Sequence, residues 1–173
     1  MQAQMRSAVT GFKNLHELRD VIFRYGEFKT AEDVGLQLPE PAVEVVGALL
    51  FQEGKMLLEY RPEGAKCYPG IWDTPGGKLE QGENPDEALV RELKEELGLE
   101  VSNMQKIACC DDIDLHSSRV FRHHVYAVPC SQEPQAVEGQ RLAWFERADS
   151  YEDYSLPVRR SLAWLDHQET ANA

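Results

Sequence analysis

The sequence predicts an α/β (α+β) fold, a mixed or antiparallel β-sheet framed by helices, and three observations carry that prediction. From Val43 the chain turns to β-branched and apolar runs, Val43 to Phe51 and Lys55 to Tyr60, separated by Gln52-Glu53-Gly54. Between Asn84 and Gly98 it carries a full set of helix start and stop signals. From Arg119 to Val128 a period-two pattern places Val120, Arg122, His124 and Tyr126 on one face of a strand.

The elements follow in chain order. Asn14, with Glu17 three residues on, opens an apolar stripe of Leu15, Leu18, Ile22 and Tyr25, which predicts an extra N-terminal amphipathic helix that packs on the main domain. Gly35 to Pro41 reads as a linker, so residues 1–41 form an extension. The runs from Val43 then form a hairpin with a glycine-containing turn. Asn84 as N-cap, Pro85 at the first helical position, Glu87 as capping-box acid and Gly98 as C-cap bound a helix from Pro85 to Leu97. Further strands are expected at Met104 to Asp111, Arg119 to Val128 and Leu142 to Phe145. A last helix runs from Pro157 to about His167, where Val158, Leu162 and Leu165 share a face. The domain thus spans residues 42–168, with a tail at 169–173.

A chain of 173 residues with 42% apolar residues suits one domain with one core, and excludes a disordered or fibrous protein. Eighteen basic against 30 acidic residues give a net charge of −12, which disfavours duplex nucleic acid and anionic membranes as partners. No apolar run is long enough to span a bilayer, and no secretory leader is expected. Cys67, Cys109, Cys110 and Cys130 lack the spacing of a zinc site or a disulfide framework, so a reducing cytoplasm is the expected compartment.

The acidic excess is concentrated where the chemistry is expected. Glu80, Glu83, Asp86, Glu87, Glu92, Glu95, Glu96 and Glu100 face only Arg91 and Lys94 in the same stretch. On the predicted helix, Ala88, Leu89, Leu93 and Leu97 form the apolar stripe, while Glu92 and Glu96 lie one turn apart with Glu95 beside them. Such carboxylates repel one another unless a cation neutralises them, and an all-oxygen set selects magnesium or manganese over zinc or copper. A solvated acidic helix face is the plainer alternative, and the surrounding residues decide against it.

Gly77, Glu83 and the run Arg91-Glu92-Leu93-Lys94-Glu95-Glu96-Leu97-Gly98-Leu99 match the pattern GX5EX7REUXEEXGU at every specified position. A chance match in a chain of this length has a probability on the order of 10⁻⁷. The stretch resembles the Nudix box, and Trp72-Asp73-Thr74-Pro75-Gly76-Gly77-Lys78 with Glu138-Gly139-Gln140 and Trp144 extends the likeness to the MutT-like branch. The resemblance implies the Nudix fold, a mixed β-sheet sandwiched between helices, and Mg²⁺-dependent hydrolysis of a nucleoside diphosphate linked to another moiety, with Mn²⁺ able to substitute. It implies Glu92, Glu95, Glu96, the Gly76 carbonyl and Glu138 as metal ligands, with Arg91 orienting the carboxylates and Glu83 supporting them from behind. Glu96, Glu138 or another carboxylate would serve as general base.

The substrate expected from the resemblance is a small-molecule nucleotide, a nucleoside triphosphate cleaved to the monophosphate and pyrophosphate by a monomer or homodimer. Arg61, Lys78 and Trp72 are its expected contacts, with the Asp111 to Arg122 and Tyr151 to Arg159 segments shaping selectivity. Asp111, Asp112, Asp114 and His116 read as a polar loop near the site. His123 and His124 are adjacent on a strand and must point to opposite faces. MutT-like enzymes that act on 8-oxo-dGTP commonly carry an asparagine near the terminal helix, where this chain has Tyr154-Ser155-Leu156-Pro157. Alternatives within the same fold are hydrolysis of nucleoside diphosphate sugars of the ADP-ribose type or of dinucleoside polyphosphates, an isopentenyl diphosphate isomerase-like enzyme, and a non-catalytic nucleotide-binding regulator. The isomerase reading lacks its cysteine before the box, where Thr74-Pro75-Gly76-Gly77 stands instead.

Overall fold

The hairpin expected from Val43 forms as β1 (Val43–Gln52) and β2 (Lys55–Tyr60), turning at Glu53 and Gly54 with φ of 50° and 81°. Two successive left-handed residues match the right-handed twist of the flanking strands, which is why glycine stands in this turn. The computed structural model describes residues 30–35, 38, 40–114, 116–146 and 154–171. The amphipathic helix expected around Leu15 to Tyr25, and residues 151–153 of the expected selectivity segment, lie outside the described residues.

Four more strands complete the sheet: β3 (Trp72–Asp73), β4 (Gln105–Asp114), β5 (Arg119–Pro129) and β6 (Arg141–Glu146). The order is β3-β2-β1-β5-β4, with β6 on the other side of β2. β1 runs parallel to β5, from Val43 opposite Phe121 to Phe51 opposite Pro129, while the remaining pairs are antiparallel. The sheet is therefore mixed. β1 and β2 pair only near their turn, from Leu50 opposite Leu57 to Gln52 opposite Lys55. The chain from Pro75 to Leu79 lies along the freed part of β1, where Ala48 N–H donates to the Pro75 carbonyl at 2.9 Å and Val46 N–H to the Gly77 carbonyl at 2.8 Å. At Gly76, φ is 141° and a Cβ would run into the Val46 carbonyl, so only glycine lets this segment press against β1.

Helices α1 (Pro85–Leu97) and α2 (Leu156–Ala171) cover opposite faces. Leu89, Leu93 and Leu97 of α1 are fully buried against Val46, Ala48, Leu50, Leu57, Tyr126 and Val128. Val158 and Leu162 of α2 pack with Leu49, Met56, Leu58 and Val125. Each such side chain contributes about 1.5–3 kcal/mol by leaving water. Because side chains alternate along a strand, Leu57 and Glu59 of β2 face α1 while Met56 and Leu58 face α2. Among the described residues no helix is long and apolar enough to cross a membrane.

Two expectations are corrected. Asp111, Asp112 and Asp114 do not form a loop; β4 continues through Asp114 and all three are buried. Aspartate is poor in strands because its carboxylate seeks backbone donors, and here those donors are supplied from elsewhere. Asp111 accepts from the Arg122 guanidinium at 2.9 and 3.0 Å and from Ala31 N–H at 2.8 Å. Asp114 accepts the N–H groups of Tyr68 and His116 at 3.3 Å and of Ser117 at 3.0 Å. The last helix continues past His167 to Ala171, into the stretch expected as tail. Ahead of the expected linker, Glu32–Val34 form a short 3₁₀ turn closed by Gly35, and Glu32 joins Arg122.

Candidate active site

The rotation of α1 is set at its ends. Asn84 Oδ1 accepts from Asp86 and Glu87 N–H at 3.0 Å, and Glu87 Oε2 accepts from Asn84 N–H at 3.1 Å, the reciprocal capping box. Gly98, at φ 67°, turns its N–H back to the Lys94 carbonyl at 3.0 Å. With the leucine stripe against the sheet, Glu92 and Glu96 flank the Pro75–Leu79 segment. Gly77 packs so closely on the Glu92 carboxylate that a Cβ would collide with it.

Arg91 gathers one set of acids. Its guanidinium grips Glu83 through Nε and Nη2, both at 2.9 Å, and meets Glu92 at 2.8 Å and Glu95 at 3.2 Å through Nη1. Nη2 also donates to the Lys78 carbonyl at 3.0 Å, tying the helix to the loop before it. The bidentate Arg91 contact and the Glu80 N–H, 2.9 Å away, hold the Glu83 carboxyl at about 2. Glu83 thus orients Arg91, and Arg91 orients Glu92 and Glu95. Glu95 remains 57% exposed, available to an incoming group.

Glu96 belongs to a second set. Its Oε2 accepts the Gly76 N–H at 3.0 Å, yet burial, followed by the charges of Glu59 and Glu92, pushes its carboxyl up to about 8. Glu59 is driven to about 7 by burial, with Arg61 opposing and Asp73, Glu138 and Glu92 adding repulsion. Burial also raises Glu92, against the pull of Arg91. Glu138 reaches this group because its loop is fastened to the end of α1. Gln135 N–H donates to the Leu97 carbonyl at 3.0 Å, and Val137 N–H and the Gln140 amide donate to the Glu96 carbonyl at 3.0 and 3.2 Å. Gln140 in turn accepts from Glu138 N–H at 3.0 Å.

Glu59 is the site residue that the sequence reading missed. Its signal was the alternation in Lys55–Tyr60, which puts it on the face of Leu57.

A pocket of about 290 Å³ opens beside Gly76 and Gly77, lined in part by Arg61, Tyr68, Asp73, Lys78, Phe121 and His123. Of the expected substrate contacts, Arg61 and Lys78 line it, whereas Trp72 stands edge-on to Tyr60 and Phe145 with Arg141 over its ring at 5.2 Å. His123 faces this pocket, and His124 points the other way, 3.8 Å from Glu44.

Among the described residues, no three His, Cys, Asp or Glu side chains stand close enough to hold a metal ion as they are. The donor chemistry nevertheless fits a hard cation. Glu59 and Glu96 are partly buried carboxylates, with Glu92 and Glu138 adding negative charge, and an all-oxygen set of this kind suits a divalent cation that neutralises it.

The NUDIX domain family matches residues 41–165, more than half of the chain. The chain is 39% identical over 103 residues to a CTP pyrophosphohydrolase of Escherichia coli (strain K12), covering 59% of this chain and 74% of that protein. It is 58% identical over 33 residues to an 8-oxo-dGTP diphosphatase of Proteus vulgaris, covering 19% of this chain and 30% of that protein. The crystal structure of a MutT NUDIX hydrolase from Burkholderia pseudomallei superposes with a TM-score of 0.65 at 28% identity, covering 73% of this chain and 99% of that one.

Proposed function

The chain belongs to the NUDIX family, whose hydrolases generally use divalent metal cations, and from that premise we propose that it cleaves a nucleoside triphosphate to the monophosphate and pyrophosphate with Mg²⁺. Mn²⁺ substitutes in this reading. The observation that carries it is the pair of acid sets meeting at Gly76–Gly77: Glu83, Glu92 and Glu95 on Arg91, and Glu96 beside Glu59. The naming of the Escherichia coli relative as a CTP pyrophosphohydrolase supports a triphosphate substrate.

Glu92, Glu95, Glu96 and the Gly76 carbonyl would hold the cation, with Glu138 added from its loop. A divalent cation bound there neutralises phosphate charge and acidifies water. Arg91 keeps Glu92 and Glu95 in place while Glu83 keeps Arg91 in place. Glu96 or Glu138 accepts the proton of the attacking water. Arg61 and Lys78 face the substrate phosphates.

The test is a panel of nucleoside triphosphates, nucleoside diphosphate sugars and dinucleoside polyphosphates incubated with the protein and Mg²⁺. Pyrophosphate and a monophosphate from a triphosphate support the reading. A monophosphate with a sugar phosphate transfers it to the nucleoside diphosphate sugars. No product from any of them returns it to a non-catalytic binder or an isomerase-like enzyme.

A further inference from the structure

Arg141 opens β6 and stands in one row with Tyr60 of β2 and Trp72 of β3, because Tyr60 is the cross-strand partner of both. Its guanidinium lies 5.1 Å from the Tyr60 ring centroid and 5.2 Å from that of Trp72, and the two rings meet edge-on at 5.3 Å. A cation within about 6 Å of an aromatic ring is attracted to it, and the weakly hydrated guanidinium suits a corner formed by two rings. The rings are themselves anchored. Tyr60 OH donates to Glu63 at 2.9 Å, while Trp72 packs on Phe145 at 4.8 Å and its carbonyl accepts the Ser155 N–H at 2.8 Å.

An arginine lying on aromatic rings is ordinary; its place in the chain sets this one apart. Arg141 opposite Tyr60 is the last rung of the ladder between β2 and β6, and among the described residues β6 pairs with β2 alone. Such end rungs fray first. Three residues before Arg141 stands Glu138, whose charge reaches Glu59 and Glu96, and Gly139 after it turns the chain at φ 76°. On its other side the loop is tied to α1 by Gln135, Val137 and Gln140. The Glu138 loop is therefore held at two ends, by hydrogen bonds on α1 and by the aromatic corner at the start of β6.

Resting on the proposed nucleotide hydrolysis, we propose that Arg141 is a positioning residue: clasped between Tyr60 and Trp72, it pins the start of β6 and so holds the Glu138 carboxylate at the edge of the site where Glu59 and Glu96 stand. It touches neither substrate nor reacting atoms. Without the guanidinium the end rung opens and Glu138 occupies its place for only part of the time, which lowers turnover and leaves substrate affinity to Arg61 and Lys78. In this reading the Trp72 ring serves the clasp.

The experiment is a double-mutant cycle on kcat with Arg141→Ala, Glu138→Gln and both together, accompanied by Arg141→Lys and by amide hydrogen exchange on the metal-free proteins. Arg141→Ala is expected to lower kcat about tenfold with KM and Tm little changed, and Arg141→Lys, which keeps a cation for the two rings, to recover part of the loss. In the Glu138→Gln background Arg141→Ala is expected to change kcat by less than about twofold, because it acts only through the carboxylate already removed. Exchange at the Val137 and Gly139 amides is expected to rise about tenfold in Arg141→Ala while the α1 amides keep their wild-type protection. Losses that multiply in the double variant, a raised KM with kcat unchanged, wild-type exchange at Val137 and Gly139, or a wild-type kcat in Glu138→Gln each overturn the proposal. Where Glu138→Gln leaves no measurable turnover, Mn²⁺ binding followed by electron paramagnetic resonance carries the cycle. Weaker binding in Arg141→Ala that vanishes in the Glu138→Gln background supports the clasp, and equal weakening in both backgrounds, or none, overturns it. Failure of the hydrolase reading looks different, since the wild type then cleaves no triphosphate, and the exchange profile and the Mn²⁺ cycle decide the clasp alone.

Discussion

Glu96 concentrates the chemistry of single residues here, because burial and the neighbouring Glu59 and Glu92 charges lift its carboxyl to about 8 from an ordinary 4.5. In the metal-free protein the folded state then holds a proton that the unfolded chain releases, so the contribution of Glu96 to stability is full below about pH 4.5 and is lost as pH rises toward 8. Thermal melts of metal-free protein are expected to show Tm falling over that window, with Glu96→Gln flattening the trend and added Mg²⁺ restoring stability at the high-pH end. The same substitution is expected to lower kcat by about 10²-fold or more under saturating Mg²⁺. Glu92, Glu95 and Glu96 could be named from the sequence because a helix converts spacing into geometry. Glu59 could not, because its meaning arises only when β2 pairs with β3 and brings it opposite Asp73, at the edge where Glu96 meets Gly76.

At the scale of elements, α1 was legible to its ends, since Asn84, Pro85, Glu87 and Gly98 are local signals that no distant contact overrules. Asn84→Ala removes the acceptor for two N–H groups and is expected to lower stability by about 1 kcal/mol in chemical denaturation. Gly77→Ala acts differently, because its Cβ displaces the Glu92 carboxylate while leaving the apolar face of α1 in place. Its expected signature is a loss of about 10²-fold in kcat/KM with a small change in Tm. β4 shows where local signals fail. Three aspartates in a row of four residues read as a loop, and what keeps them in a strand is Arg122 across the sheet, Ala31 from the N-terminal side and Tyr68 from the loop after β2.

The whole molecule is organised by pairings that no local pattern announces: β1 beside β5 in parallel, and the Pro75–Leu79 segment inserted where β1 leaves β2. Arg122 on β5 binds Asp111 on β4 and Glu32 ahead of β1, so it fastens three distant stretches of chain. Arg122→Ala leaves the fully buried Asp111 without its counter-charge and is expected to cost about 3–5 kcal/mol in unfolding free energy. The MutT-like ancestry and the acid sets gathered around Gly76–Gly77 converge on one central claim, that this fold exists to hold carboxylates around the pyrophosphate of a nucleotide. Product analysis of a nucleoside triphosphate incubated with Mg²⁺ and either wild type or Glu96→Gln tests it most directly. The account predicts monophosphate and pyrophosphate from the wild type and their near-complete loss in a folded Glu96→Gln, whereas turnover unchanged by that substitution, or release of inorganic phosphate alone, contradicts it.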